Sequence, residues 1–570
     1  MRRSIRYLLL ALLAAFLTAG SAFAAGGSCT GPAGPISFPS WVSGITSCFF
    51  ISVSGSDANN GTSFSTPWQH APGMPAATGV AASHSPAAGE AYIFQGGGTW
   101  HRYSGSPLTG GEWTWPASGT SANNIYVGVD VHWFSGGSFA RPIMNQDNPL
   151  STAVVSSCQF PADGTTFVSF SGKSQVVFDN FEFTGKCWSG SSVGQTIQAG
   201  TATVMSNLYI HGWTVASSAS DDNHFMIGPA GGQGEANAAN RYLYLVIDGS
   251  DSSLGAACNA PSCVDSFGGS GGATGWAMDD CWDVEYSVIR HVSNGLECGD
   301  IGILHDNLFE YQFEPSFGGR HGNVVETIPG GFGNLCKTGM YYNNITRNTN
   351  EGVDWWIQCS SHIYFNNVWE NSGHFPPDPN GLMISPPGGS GSSVISVFVY
   401  NNTFDGTVKA QAGPGNSSTP TAAAGSTFTF ENNQMLAFTS IGGFFSCSSG
   451  NSCSVTDNGG EVFQSISAAN AQGYTLANNY APTLSTNATV GQGLNASSSC
   501  STFSPDSALC SGTTGAVIET SGNGGIIAVL SGIPVNPRGA TWDAGAYEFS
   551  STGSSSAKPN PPTNLSAIVK

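Results

Sequence analysis

A short pattern of alternating apolar residues followed by Asn or a small polar residue recurs down the middle of the chain. Its copies are Val177–Phe181, Tyr209–Trp213, Val246–Gly249, Val284–Val288, Ile303–Leu308, Tyr341–Ile345, Tyr364–Val368, Val399–Thr403 and Phe430–Asn433. The repeated polar position advances by 32, 37, 38, 20, 37, 23, 35 and 31 residues. Internal repeats of this length predict a solenoid or a propeller rather than one globular core.

The spacing favours the solenoid. The shortest steps fit one coil of a three-sided parallel β-helix, and the longer steps add a loop of about a dozen residues to such a coil. A propeller would need tight two-residue hairpin turns, and Asn-Gly turn signals are few in this chain. Asn tolerates the left-handed conformation of a bend, and stacked Asn side chains can form a hydrogen-bonded ladder. We therefore predict an all-β fold, a single-stranded right-handed parallel β-helix of about ten coils.

The repeats and both ends of the region resemble the pectate-lyase-like β-helix superfamily. The entry segment, Ile51–Asp57 through Pro67-Trp68, is similar to the opening of bacterial members. The exit, Gly545-Ala546-Tyr547-Glu548-Phe549, resembles the GAYE ending of envelope β-helix proteins. The resemblance implies the fold over about 51–549 and leaves the activity open, because the superfamily includes lyases, hydrolases, epimerases and binding proteins.

The N-terminus predicts secretion. A basic segment with Arg2, Arg3 and Arg6 precedes an apolar run from Leu8 to Leu17, and Ala22-Phe23-Ala24 has the small-x-small form of a signal peptidase site. We expect a signal peptide at 1–24, an N-terminal extension at 25–50, the β-helix at 51–549 and a Ser/Gly/Pro-rich linker or tail at 550–570. No other apolar run is long enough for a transmembrane helix. We predict a monomer that is secreted to the exterior or the cell surface.

The charge and composition of the chain limit the kinds of binding partner that we expect. The formal charge of −20 becomes −23 when the signal peptide is removed, and this excess of acid argues against nucleic acid as a partner. It would also repel anionic polysaccharides unless a cation such as calcium bridges the two. Only 9% of the residues are charged and 76 are Gly, which is typical of an all-β extracellular protein.

All 14 cysteines follow the signal peptide and stand in close pairs, which predicts disulfides in an oxidising compartment. A metal site is the alternative, although the chain has no CxxC pair, and spacing does not prove connectivity. The predicted pairs are Cys29–Cys48, Cys158–Cys187, Cys258–Cys263, Cys281–Cys298, Cys336–Cys359, Cys447–Cys453 and Cys500–Cys510.

A second repeated pattern predicts where chemistry could occur. Aligning Asn294-Gly295-Leu296-Glu297 with Asn323-Val324-Val325-Glu326, Glu351-Gly352-Val353-Asp354 and Asn380-Gly381-Leu382-Met383 places three acids in one outward column, continued by Met383. A slip of one residue would turn Glu326 inward. Asp279 and Asp280 could extend the column by one coil, and with Glu297 they form a candidate calcium site.

We take Glu297, Glu326 and Asp354 as the acidic centre, with Arg320 and His321 as accessory catalytic groups. Trp356, Arg347 and His305 are candidate substrate-binding residues. Paired carboxylates suit a glycoside hydrolase, whereas stacked acids with calcium and a basic residue suit a polysaccharide lyase. The column could also be a plain solvated face, or the binding surface of a non-catalytic, adhesin-like glycan-binding protein. The sequence predicts a carbohydrate-active protein that acts on a polysaccharide or surface glycan, and leaves hydrolase, lyase and binder open.

Overall fold

The computed structural model describes residues 29–104, 108, 110–151, 153–160, 166–189, 194–218, 224–229, 239–251, 253, 276–279, 282–298, 302–312, 323–327, 338–349, 353–356, 361–372, 382–385, 396–405, 410–412, 426–447, 453–500, 508–511, 518–520, 527–529 and 538–549. The predicted signal peptide and tail lie outside these residues.

Three long parallel sheets run the length of the molecule, and the chain visits them in turn. Sheet 1 has 13 strands among the described residues, sheet 2 has 12 and sheet 3 has 11. Strands that follow one another in the sequence lie on different sheets. Within a sheet, each strand pairs with the strands one coil earlier and one coil later. The chain is therefore the parallel β-helix that the repeats predict.

The strands of sheet 1 are Ser47–Ile51, Glu90–Gly96, Ile125–Phe134, Val176–Asp179, Val204–Ser206, Arg241–Leu243, Asp283–Glu285, Ile303–His305, Thr338–Tyr342, Ser361–Phe365, Ser396–Tyr400, Thr427–Glu431 and Ser454–Asp457. Those of sheet 2 are Thr99–His101, Ile143–Asn145, Glu182–Thr184, Tyr209–His211, Val246–Asp248, Val288–Val292, Leu308–Gln312, Ile345–Thr349, Val368–Ser372, Thr403–Phe404, Gln434–Leu436 and Val462–Gln464. Those of sheet 3 are Trp113–Thr114, Val168–Ser169, Gly194–Gln198, His224–Gly228, Trp276–Met278, Asn294–Cys298, Val325–Thr327, Val353–Trp356, Leu382–Ser385, Ala410–Ala412 and Phe445–Cys447.

Smaller elements decorate the coils. Thr30–Gly31 pairs with Gly34–Pro35 and Ile518–Thr520 with Ile527–Val529, both antiparallel, while Lys186–Trp188 pairs with Trp213–Val215 in parallel. The α-helices are Gly79–Ser83, Ile441–Phe444 and Ile466–Ala471, and the 3-10 helices are Leu476–Asn478, Ser497–Ser499 and Ala508–Ser511. No helix of the described chain is both long enough and apolar enough to cross a membrane.

The bend between sheets 1 and 2 uses asparagine in two ways. The first bend residue has a positive φ, as at Asn343, Asn366 and Asn401. The second bend residue forms hydrogen bonds to its counterparts in the neighbouring coils. The backbone N–H of Asn344 donates to Asn367 Oδ1 at 2.9 Å, and Asn367 Nδ2 donates to Asn402 Oδ1 at 2.9 Å. Both predicted roles of the asparagines are confirmed, on adjacent residues rather than on one.

The repeat alignment is confirmed only from Ser287 onward. Ser287, Asn307 and the later asparagines occupy one column. The three earlier positions were aligned wrongly: Asn180 is a first bend residue with a positive φ, whereas Gly212 and Gly249 directly follow strands of sheet 2. The alternation of apolar residues does not distinguish these copies, because strands of sheet 1 and sheet 2 show the same alternation. The true bend residues of these coils are others, such as Asn207 and Tyr244.

Removing one member of the asparagine ladder should be costly. Asn367 is fully buried; it accepts from Asn344 and donates to Tyr341 O and Asn402 Oδ1. We expect Asn367→Ala to lower the free energy of unfolding by about 3 kcal/mol, because buried groups lose their partners. Urea denaturation measures this loss, with the exposed Asn458→Ala as control. Equal losses in the two variants would contradict a stabilising role for the ladder.

The interior is a continuous apolar core fed by all three sheets. Large aromatic side chains such as Trp100, Trp113 and Trp369 are fully buried in it together with aliphatic residues from every coil. Stacked coils cannot bury their apolar faces alone, so each coil depends on its neighbours for this burial.

The C-terminal part does not add coils at the end of the described stack. Gly545 N donates to Asn432 O at 2.7 Å and Ala546 N donates to Thr403 Oγ1 at 3.0 Å, on the outside of the bend between sheets 1 and 2. The side chain of Arg538 is fully buried; it pairs with Glu548 and donates to Asn366 Oδ1. The GAYE-like ending is thus part of a segment, 538–549, that returns over the outside of the coils; we call it the return segment.

Three predicted disulfides are confirmed: Cys29–Cys48, Cys158–Cys187 and Cys500–Cys510. Cys453 is also disulfide-bonded. The pairs Cys258–Cys263, Cys281–Cys298, Cys336–Cys359 and Cys447–Cys453 each include a residue outside the described part of the chain or one whose side chain is not described. Those four pairings stay predictions.

Candidate functional site

Sheet 3 brings the predicted acids into one column. Glu297 is the direct register partner of Glu326, Glu326 of Asp354, and Asp354 of Met383. The alignment is therefore confirmed, and the register has no slip of one residue at Glu326. Neighbouring strands of a sheet are about 4.8 Å apart, so consecutive acids of the column are one such step apart along the stack.

The column extends one coil earlier, to Asp279. Met278 pairs with Leu296, so the residue that follows, Asp279, stands beside Glu297. We call Asp279, Glu297, Glu326 and Asp354 the acid column. Asp280, the other predicted calcium ligand, lies outside the described residues.

Asp279 and Glu297 are fully buried, which corrects the expectation of an open, solvated column. Both face away from the core, because Met278 and Leu296 belong to it and side chains alternate along a strand. Alternation gives the direction of a side chain but not whether another part of the protein covers it. Buried carboxylates are costly unless they are paired, so these two are poor candidates for a merely solvated face.

The other predicted site residues lie in different places. Trp356 is on sheet 3, two register positions beyond Asp354, and pairs with Ser385. His305 is on sheet 1 and Arg347 on sheet 2, so the structure does not bring these two together with the acid column. A three-sided coil sends strands that are close in sequence to different faces. Arg320 and His321 lie outside the described residues.

Arg347 has an acidic partner on sheet 2, and His305 has one on sheet 1 and one in the bend that follows its strand. Arg347 Nη2 is 2.7 Å from Glu310 Oε2. His305 Nδ1 is 2.7 Å from Asp306 Oδ2, and its Nε2 is 3.4 Å from Glu285 Oε2. Burial lowers the pKa of His305, but the hydrogen bonds to Asp306 and Glu285 outweigh it and raise this pKa to about 10. His305 is therefore a cation at neutral pH.

Asp283 and Glu285 form a cluster with His305. The sequence predicted a role for His305 but not that these three residues lie together. Arg241 Nε donates to Asp283 Oδ2 at 3.2 Å and its Nη2 donates to Glu285 Oε1 at 2.6 Å. Burial and the neighbouring Glu285 raise the pKa of Asp283. Burial also opposes ionisation of Glu285, yet His305 and Arg241 lower its pKa. The sequence did contain a signal for this cluster. The repeat copies Val284–Val288 and Ile303–Leu308 are 20 residues apart, and this step aligns Glu285 with His305.

Within the described chain, Asp283, Glu285 and His305 form a candidate metal site, because one possible ligand atom from each of them lies within 4.8 Å of the others. Its residues fit a metal ion poorly. Arg241 contacts both carboxylates, and both nitrogens of His305 face carboxylates, so cationic side chains already neutralise the acids. A protonated acid next to an ionised one could exchange protons with a ligand, but an ion-pair network explains the same pKa shifts.

The acid column differs from this cluster in its charge balance. It places four acids at consecutive register positions of sheet 3, and the predicted cationic site residues that the structure describes are on the other two sheets. Such a column can hold a cation or orient carboxylates on either side of a sugar linkage.

Neither a family model nor a curated protein matches the chain. Among solved structures, the GH136 lacto-N-biosidase from Eubacterium ramulus matches with 11% identity over 74% of this chain and 68% of that chain, at a TM-score of 0.37. A rhamnogalacturonan lyase matches with 12% identity over 73% and 87%, at 0.38, and pectate lyase Pel9A with 14% over 90% and 98%, at 0.33. All three TM-scores are below 0.5, so these likenesses do not assign an activity to the chain.

Proposed function

We propose that this chain is a secreted, carbohydrate-active β-helix protein that cleaves a polysaccharide with the carboxyl groups of the acid column. The observation that carries the proposal is the register of sheet 3, in which Glu297, Glu326 and Asp354 are direct partners on consecutive strands. Three confirmed disulfides are compatible with an extracellular location.

Hydrolysis is the reaction that this spacing supports best. Retaining glycosidases hold two carboxyl groups about 5–5.5 Å apart, and inverting ones about 6.5–9.5 Å apart. Neighbouring members of the column, such as Glu297 and Glu326, are near the first range, and next-but-one members, such as Glu297 and Asp354, are near the second. One carboxyl group would protonate the leaving oxygen, while the other would act as nucleophile or as base toward water.

Arg320 and His321 remain proposed accessory groups and Trp356 a proposed sugar-binding residue. His305 and Arg347 are not part of this proposal, since they lie on other sheets. In the lyase form of the proposal, calcium at Asp279 and Glu297 would neutralise a uronate while a basic residue takes the proton.

One observation favours a second candidate, a glycan-binding protein without catalysis. Asp279 and Glu297 have no solvent-exposed surface, and a carboxyl group must reach the proton that it transfers. In this reading the buried acids stabilise the coils, and an exposed surface elsewhere holds the glycan.

A panel of neutral and uronic-acid polysaccharides, assayed with and without a calcium chelator, separates the three readings. Reducing ends report hydrolysis, and absorbance of unsaturated uronate reports elimination. Reducing ends without unsaturation are the expected result. Unsaturated product that the chelator abolishes would assign the lyase. No product from any polysaccharide, together with measurable glycan binding, would overturn the catalytic proposal.

A further inference from the structure

A ladder of charged side chains runs along the outer face of sheet 2. Consecutive register positions are occupied by Asp248, Arg290, Glu310, Arg347 and Glu370. Trp369 pairs with Phe404, so the next position after Glu370 is Asp405. We call these six residues the charge ladder. Its first five members alternate in sign, and opposite charges directly across a strand pair stabilise a sheet.

The upper part of the ladder is fully paired. Arg290 Nε is 2.7 Å from Asp248 Oδ2 and its Nη1 is 3.5 Å from Glu310 Oε1. Arg347 lies 2.7 Å from the same Glu310. Two acids and two arginines therefore balance one another in this part.

The alternation breaks at the lower end, where Glu370 and Asp405 are adjacent acids. Arg347 turns to Glu310, and within the described chain no cationic side chain forms an ion pair with Glu370. Glu370 is fully buried, and within the described part of the chain both of its carboxylate oxygens lack a hydrogen-bond partner. Asp405 is 5% exposed and accepts from the backbone N–H of Asn371 at 2.7 Å.

Tyrosines from the C-terminal part cover this end of the ladder. Tyr547 of the return segment packs in one apolar cluster with Val368, two residues before Glu370. Tyr480 belongs to one apolar cluster with Leu436, which follows Asp405 in the column. Glu370 is therefore shielded from water, and an uncompensated buried carboxylate costs several kcal/mol.

We propose that Glu370 and Asp405 bind a divalent cation, calcium by preference, beneath the C-terminal part of the chain. The position is the one in the ladder where a cation would restore alternation, and a cation there would give the carboxylate oxygens of Glu370 the partner that they lack among the described residues. The donors are carboxylate oxygens, which hard cations prefer. Calcium suits the place better than magnesium, because it accepts irregular geometry and gives up its waters more readily.

Calcium binding to the full-length mature chain tests the proposal, by titration calorimetry in calcium-depleted buffer. We expect Glu370→Gln and Asp405→Asn each to reduce the number of bound calcium ions by one, or to weaken that site at least tenfold. Glu112→Gln removes an exposed acid far along the chain and should leave binding unchanged. Glu297→Gln should leave this site intact, which separates it from any calcium held by the acid column.

Terbium luminescence gives a second readout. Tyr547 and Tyr480 lie close enough for Glu370 to raise the pKa of both, in addition to the effect of burial. Terbium at the site should therefore be excited through tyrosine, and Tyr547→Phe should weaken the signal without removing calcium binding. Circular dichroism with chelator checks that each variant folds. Identical calcium stoichiometry and affinity in the wild type, Glu370→Gln and Asp405→Asn would overturn the proposal.

Discussion

Glu326→Gln is expected to lower the rate of polysaccharide cleavage by about 10³-fold or more, with little change in stability. Glutamine keeps the shape of the side chain but neither donates a carboxyl proton nor acts as a nucleophile or base. Acid–base catalysis alone contributes about 10² to 10⁴ to a rate, and in glycosidases a carboxyl group also acts at the anomeric carbon. Glu326 stands between Glu297 and Asp354 in the column, so both neighbouring pairs among these three acids include it. Initial rates of reducing-end release at saturating polysaccharide measure the effect.

The control must separate the loss of a carboxyl group from a general loss of charge. Glu112→Gln makes the same chemical change at an exposed residue and should retain the wild-type rate. Glu297→Gln should lose activity too if neighbouring acids are the reacting pair, whereas a reaction by next-but-one acids would make Glu297 and Asp354 essential and Glu326 dispensable. Full activity in Glu326→Gln, Glu297→Gln and Asp354→Asn would contradict catalysis by the acid column.

The fold was readable from the sequence because a β-helix repeats the same local rules in every coil. A left-handed bend residue followed by a ladder asparagine appears as Asn343-Asn344, Asn366-Asn367 and Asn401-Asn402. The register of the acid column was also readable, because Leu296 and Val325 enter the core and fix which residues pair. The coil with Gly249 was misaligned because Tyr244 makes the same bend there, and nothing in a tyrosine signals a positive φ.

Which of the predicted site residues come together in the structure was harder to predict from the sequence. Glu310, Arg347 and His305 fall in one acid-rich stretch of sequence, yet they separate onto two sheets that do not carry the acid column. Proximity in sequence says little about proximity in a solenoid, because each coil turns through three faces. The burial of Glu297 and Glu370 was equally hidden, because it depends on what covers a strand. A return segment such as 538–549 reaches coils more than 100 residues away.

Glu370→Gln is expected to stabilise the protein above neutral pH by about 4 kcal/mol, in the presence of a chelator. Burial raises the pKa of Glu370 from 4.5 to about 8; the charge of Arg347 opposes this rise, whereas Asp405 and Glu310 add to it. The difference between the two values, at about 1.36 kcal/mol per pH unit, sets the upper limit of the effect. Glutamine resembles the protonated acid in size and polarity and carries no charge at any pH.

The sign follows from proton binding. Between about pH 4.5 and pH 8 the folded chain keeps a proton on Glu370 that the unfolded chain has lost, so stability falls as the pH rises through this window. Above pH 8 both states are ionised and the loss is complete. Urea denaturation from pH 4 to pH 9 should therefore show the wild type and Glu370→Gln diverging with increasing pH, while Glu112→Gln stays parallel to the wild type. A constant difference across that range would mean that Glu370 is already ionised and compensated in the fold. With calcium present the divergence should shrink, because a bound cation stabilises the same carboxylate that is costly without it.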